Sequence, residues 1–120
     1  MSTLSRTAAD LFWMARYLER AEAMARLVEM GRRMAMLPGP ANRQVEEWRS
    51  VIAAAGCATH FEEGTLTPEA AIVGLITDRS NPSSIFSCIE RARANARSVR
   101  TALTTQSWET LNETWLRLGD

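Results

Sequence analysis

Apolar residues recur at alternating spacings of three and four through two long stretches of this chain. That period fits one face of an α-helix and no other regular structure. In the first stretch the series is Leu11, Met14, Leu18, Ala21, Ala25 and Val28; in the second it is Ile85, Ile89, Ala92, Ala96, Val99 and Leu103. The first predicts a helix from about Thr7 to about Met36, with Thr7 and Asp10 as a shortened capping box and Pro38-Gly39-Pro40 as its stop. Gly31 weakens its last turns. The second predicts a helix opened by Asn81-Pro82.

Shorter elements lie between and after them. Asn42 is placed to cap a helix through Val45, Trp48, Val51 and Ile52, and Gly56 to end it. Cys57 to Leu66 reads as a loop. Thr67-Pro68-Glu69 supplies a hydroxyl cap, a proline at the first helical position and an acid against the helix dipole, so a short helix should run to about Thr77. A last helix is expected from about Ser107 to Leu118, with Trp108, Leu111, Trp115 and Leu118 on one side. No segment alternates like a strand and no hairpin dipeptide occurs. The fold class is therefore all-α, a bundle with two long helices and about three shorter ones in a single domain over residues 1–120. A helix of about 24 to 30 residues is roughly 36 to 45 Å long, whereas a compact globule of this size has a radius of gyration near ~14 Å. The bundle is elongated, the first helix protrudes, or the chain is part of a larger bundle.

The two stretches share more than a period. Leu18 to Val28, LERAEAMARLV, matches Ile89 to Val99, IERARANARSV, at seven of eleven positions, offset by 71 residues without a gap. Glu19-Arg20 corresponds to Glu90-Arg91, and Arg26 to Arg97. Adjacent helical residues point about 100° apart, so Glu19 and Arg20 pair poorly with each other. Arg16 lies three residues before Glu19, and Glu22 lies four before Arg26, the favourable order for an in-helix pair. Arg93 replaces Glu22 in the second copy, which removes that pair and leaves Arg97 to face an acid elsewhere. The expectation is a crossed ion-pair cluster of Glu19, Arg20, Glu90 and Arg91 where the two long helices meet. Such a cluster either orients helices or lines a site; a paired charge more often sets geometry.

Composition excludes several classes. The 120 residues carry 14 bases and 14 acids, and every base is arginine. A balanced charge lacks the basic footprint of a nucleic-acid binder or a polybasic membrane surface. No stretch approaches the ~20 apolar residues of a spanning helix. Arg6 and Asp10 precede any long apolar run, so no secretory leader is expected, and Cys57 and Cys88 are expected as reduced thiols in a cytoplasm. His60 lies near Cys57, Glu62 and Glu63, but nothing completes a four-ligand metal set, so a plain loop is the expectation, with no metal and no cofactor. The Glu-x-x-His of a di-iron bundle is missing, as is a Gly-rich phosphate loop. Met14, Met24, Met30, Met34 and Met36 are expected to fill core, like Trp13, Trp48, Trp108 and Trp115.

The run Leu11-Phe12-Trp13-Met14-Ala15-Arg16-Tyr17-Leu18-Glu19-Arg20-Ala21-Glu22, after Leu4-Ser5-Arg6, resembles the start of the bacterial Alpha-E family, known for a predicted helical fold and a Glu-Arg signature. Ser84 to Arg97 resembles a second signature, and Trp108-Glu109-Thr110-Leu111-Asn112 is similar to the following helix. The resemblance covers nearly the whole chain. It implies that the chain is the N-terminal part of a longer protein. It further implies an accessory or partner-binding role beside an ATP-grasp ligase and a transglutaminase-like peptidase in making or modifying peptides. The alternative is a catalytic component that uses the Glu/Arg cluster on a peptide or acyl-phosphate substrate. The motif residues carried over are Glu19, Arg20, Glu22, Arg26, Glu90, Arg91 and Arg97. A homo-oligomer is a third expectation.

Overall fold

The structure, a computed structural model, describes residues 3–61 and 65–118. It is all-α: α1 (Thr3–Ala35), α2 (Arg43–Ala54), a 3₁₀ turn (Ala58–Phe61), α3 (Pro68–Ile76) and α4 (Ile85–Leu118). Two long helices with shorter ones between them match the sequence expectation, but the third short element is the 3₁₀ turn, inside the stretch Cys57 to Leu66 expected as a loop, and three boundaries move. Residues 107–118 form no separate helix, because nothing there breaks α4. The hydroxyls that favour a cap elsewhere bond backward along the helix, Thr104 Oγ1 donating to the Arg100 carbonyl at 2.8 Å and Thr114 Oγ1 to Thr110 at 2.9 Å. Helix α1 begins at Thr3, so Thr7 is interior to the helix and does not start it. Helix α4 begins at Ile85, three residues after Pro82.

The short elements follow their local chemistry. Thr67 Oγ1 accepts from the Ala70 amide at 3.1 Å and Pro68 opens α3, as the sequence implies. Asn42 stands at the N-cap of α2 but makes no side-chain cap bond. At the other end of α2, Gly56 adopts a positive φ of 71°. The Gly56 amide bonds the Ala53 carbonyl at 3.1 Å and the Cys57 amide bonds Ile52 at 3.0 Å. This is a Schellman ending, and it turns Cys57 back into the core beside Ile52.

The long helices pack mainly on each other. Arg20 of α1 reaches Ser83, just before α4, and Arg91, further along α4, lies over Tyr17, earlier on α1. The two helices therefore run antiparallel. Their shielded residues form two series in opposite directions. Met14, Tyr17, Ala21, Met24, Val28, Gly31 and Ala35 are half-buried or buried on α1; Cys88, Ala92, Asn95, Val99 and Ala102 are so on α4. Each series alternates steps of three and four, the a and d positions of a heptad. The expected stripes were the a and e positions instead. Leu11 (44%), Leu18 (44%), Ile89 (43%) and Leu103 (52%) stay exposed, as do Ala25 and Ala96. A seam between two helices accepts only two positions per heptad, and it takes Tyr17, Cys88 and Asn95 ahead of those aliphatic residues.

The hydrophobic core sits at one end, where the second half of α1 meets α2 and α3. Met24, Val28, Trp48, Val51, Ile52, Cys57, Ala71 and Leu75 form it. Trp48 is 1% exposed and lies against Gly31, where a Cβ would come within 2.8 Å of Val51 Cγ2 and 3.0 Å of the indole. Gly31 is thus the contact point of α1 with α2. Met30, Met34 and Met36 are exposed rather than core, as are Trp13 and Trp115; the Trp108 and Leu111 side chains lie outside the described residues. The molecule measures 82 × 26 × 18 Å with a radius of gyration of 21.6 Å, so it is elongated as the helix lengths imply.

Two substitutions test this packing. Gly31→Leu should destabilise by about 1–3 kcal/mol through overpacking against Trp48. Gly56→Ala should cost about 1–2 kcal/mol from the left-handed backbone alone, since nothing lies within 4 Å of the added Cβ. Urea unfolding should show both as lower midpoints with an unchanged slope.

Candidate functional site

Both Glu-Arg pairs lie on the long helices, and the heptad frame assigns each residue a direction. Glu19 and Glu90 fall at f, facing outward; Arg20 and Arg91 fall at g, flanking the seam. In an antiparallel pair the g positions of the two helices share one flank. Both arginines accordingly turn toward the opposite helix. Arg20 Nη2 donates to Ser83 Oγ at 3.2 Å, and the Arg91 guanidinium lies 5.6 Å from the Tyr17 ring centroid. Between them Cys88 is buried, and its thiol donates to the Ser83 carbonyl at 3.8 Å. Burial pushes the Cys88 thiol pKa up, while the nearby Arg20 and Arg91 charges oppose the rise.

The crossed ion-pair cluster does not form. Glu19 pairs within α1 to Arg16 at 3.8 Å, and Glu90 has no cation within ion-pair distance among the described residues. The reason is angular: an f residue on one helix cannot reach a g residue on its antiparallel neighbour across the seam. The in-helix pair read from the sequence is present, Glu22 with Arg26 at 3.7 Å. Arg97 meets no acid from α1; it lines an outer cleft of about 330 Å³ with Arg79, Phe86, Ile89, Glu90 and Arg93. A second cleft of about 490 Å³ shares Arg79 and Glu90 and adds Arg91. The structure thus brings Arg20 and Arg91 to one flank, sets Glu90 and Arg97 in one cleft, and leaves Glu19, Glu22 and Arg26 on the outside of α1.

Sequence reading missed the residue that joins these parts. Asn81 is 2% exposed. Its Nδ2 donates to the Gly74 carbonyl at 2.9 Å, and its Oδ1 accepts from the Ser83 amide at 3.1 Å. It ties the end of α3 to the corner that launches α4. Ser84 is the true cap of α4, with Oγ accepting from the Ser87 amide at 3.1 Å. The sequence offers Asn81-Pro82 as the start of α4, a role that falls to Ser84 instead, and the partner carbonyl of Gly74 is not readable from spacing.

The loop histidine has a different partner from those considered in sequence. His60 Nε2 and Asp78 Oδ2 are 2.9 Å apart, with side chains 26% and 32% exposed. Ser80 donates to Asp78 through its hydroxyl at 2.7 Å and its amide at 2.9 Å. Those bonds, with His60 second, hold the Asp78 pKa down to about 2. Glu62 and Glu63 lie outside the described residues, and no three potential metal ligands gather among the described ones. No described helix is long and apolar enough to cross a membrane.

A family model described as a predicted alpha-helical domain with a conserved ER motif matches residues 3–120. No curated protein and no solved structure matches the chain.

Two measurements follow from this geometry. Asn81→Ala should destabilise by about 1–3 kcal/mol, because buried partners lose their bonds, whereas Glu19→Gln should change stability by no more than about 0.5 kcal/mol. Asp78 titrates lower in the folded chain than unfolded, so its contribution is present above about pH 4 and lost as pH falls toward about 2. Acid unfolding of Asp78→Asn should lack that part of the pH dependence.

Proposed function

The chain belongs to the Alpha-E family, and from that premise we propose that it is an accessory helical module that docks a partner protein. The partner we assign is an ATP-grasp ligase or transglutaminase-like peptidase acting on peptides, which is the company the family resemblance implies. One observation carries the docking role: an apolar face of the α1–α4 pair is left open. Leu4, Leu11 and Leu18 on α1 and Ile89, Ala96 and Leu103 on α4 are all exposed e positions. In an antiparallel pair the e positions of both helices lie on one side. Ala8 and Ala15 alternate with the three leucines, also exposed, so α1 presents a second three-four stripe.

Such a face fits an incoming helix. Small alanines between leucines let backbones approach closely, and leucines supply the ridge. The face is about 22 Å long at ~1.5 Å per residue over the fifteen residues from Leu4 to Leu18, and about 20 Å wide for two helices ~10 Å apart. That footprint is about half the ~800 Å² per partner of a standard interface, the size of a transient contact. The motif glutamates do not favour the catalytic alternative, since Glu19 and Glu90 sit on the outer faces of separate helices and do not converge on one point. Arg20 and Arg91 fix the flank opposite the apolar face.

Co-expression with an ATP-grasp ligase and a transglutaminase-like protein from the same genome tests the proposal. A stable complex should form with one of them, and Leu11→Glu with Leu18→Glu should weaken it about tenfold or more while the melting temperature holds. No complex with either, or a complex indifferent to both substitutions, overturns the reading. Self-association lost with the same substitutions assigns the face to a second copy instead.

A further inference from the structure

Six arginines of this chain pair within their own helices. On α1, Arg16 pairs with Glu19, Arg26 with Glu22, and Arg32 and Arg33 both with Glu29; on α2, Arg43 pairs with Glu47 and Arg49 with Glu46. Each of these guanidinium groups has a carboxylate within one turn of its own helix. Arg93, Arg97 and Arg100 on α4 follow one another at steps of four and three, so they share one face, and all are exposed. No carboxylate lies within ion-pair distance of any of them among the described residues. The sequence change responsible is the one at Arg93, which stands where the first copy has the pairing acid Glu22.

The row is part of a shaped site. Arg79, in the turn before α4, is held with its guanidinium 4.8 Å from the Phe86 ring centroid. Arg79, Arg93 and Arg97 then line one cleft of about 330 Å³ with Phe86 and Ile89. A further cleft of about 380 Å³ continues along Arg93, Ala96, Arg97 and Arg100. Guanidinium forks at intervals, with apolar patches between them, match a chain that carries carboxylates at intervals on aliphatic stems.

We propose that the α4 groove bounded by Arg79, Phe86, Arg93, Arg97 and Arg100 is a binding site for an acidic peptide segment. The aligned arginines grip successive carboxylates, and Phe86, Ile89 and Ala96 take the methylene groups between. A single phosphate would use one fork and leave the others idle. Glu90, in the same cleft, repels the unbroken charge of a nucleic-acid backbone but leaves room for a peptide with spaced acids. The groove shares Ile89 and Ala96 with the apolar face, whereas Arg79, Phe86, Arg93, Arg97 and Arg100 lie outside that face, so the arginine substitutions test the groove separately from the docking role.

Fluorescence anisotropy of a labelled ten-residue glutamate peptide, titrated with the full chain, tests it. Binding should saturate and weaken as salt rises. Arg93→Gln with Arg97→Gln should weaken it roughly tenfold or more. Arg26→Gln with Arg33→Gln, an equal change of charge on α1, should leave it within about twofold. Arg79→Gln, outside any helix, should also weaken binding and guards against a loss of helix in the double variant, which circular dichroism reads directly. No saturable binding into the millimolar range overturns the proposal. Equal losses in the two double variants overturn it too, since that marks diffuse charge. Displacement of the peptide by inorganic phosphate or a DNA oligonucleotide at equal or lower concentration than by unlabelled peptide assigns the groove to other anions and overturns it.

Discussion

Two helices that meet along one line can shelter only two residues in every seven, and this limit shapes the whole molecule. The α1–α4 pair meets it with a and d residues of mixed size and polarity, including Tyr17, Cys88 and Asn95. What the pair cannot shelter is the third apolar position of each heptad, which helices in larger bundles place against a further neighbour. The same limit separates the motif residues. It sends the two arginines to one flank and both glutamates outward, so a sequence signature that reads as a pair acts as two residues with different neighbours.

Much of the architecture was legible, and the reasons are local. Period, proline and glycine placement, and the Thr67-Pro68 start each report on a few consecutive residues, and each element they announce is present except the separate last helix, whose residues continue α4. The direction of each helix face was not legible, because Leu11, Leu18 and Ile89 are more apolar than the residues that take their place in the seam. Hydrophobicity ranks residues but cannot count the helices available to cover them. Trp48 and Trp115 make the same point, since one is 1% and the other 75% exposed. The in-helix pair of Glu22 and Arg26 was readable because both partners lie on one helix. The link from Asn81 to the Gly74 carbonyl joins two elements whose placement depends on the fold itself.

Charge is neutral in total and uneven in space. The first helix answers most of its arginines with glutamates one turn away, whereas the fourth leaves three in a row unanswered. Formal net charge averages over this contrast. Zero balance therefore describes the whole surface and not a single helix face, where a few uncompensated guanidinium groups set the local field.

The hydrophobic core lies at one end of an 82 Å rod, and this bears on how the chain assembles. The second half of α1, α2 and α3 are close in sequence and close in space, so their cluster closes only short loops. The contacts between α1 and α4 join residues some seventy positions apart, and become cheap only once that cluster has brought Asn81 and the α4 launch point into place. The rod would then zip outward from its packed end, each heptad easing the next, as far as Ala102, the last shielded residue of α4 among the described ones.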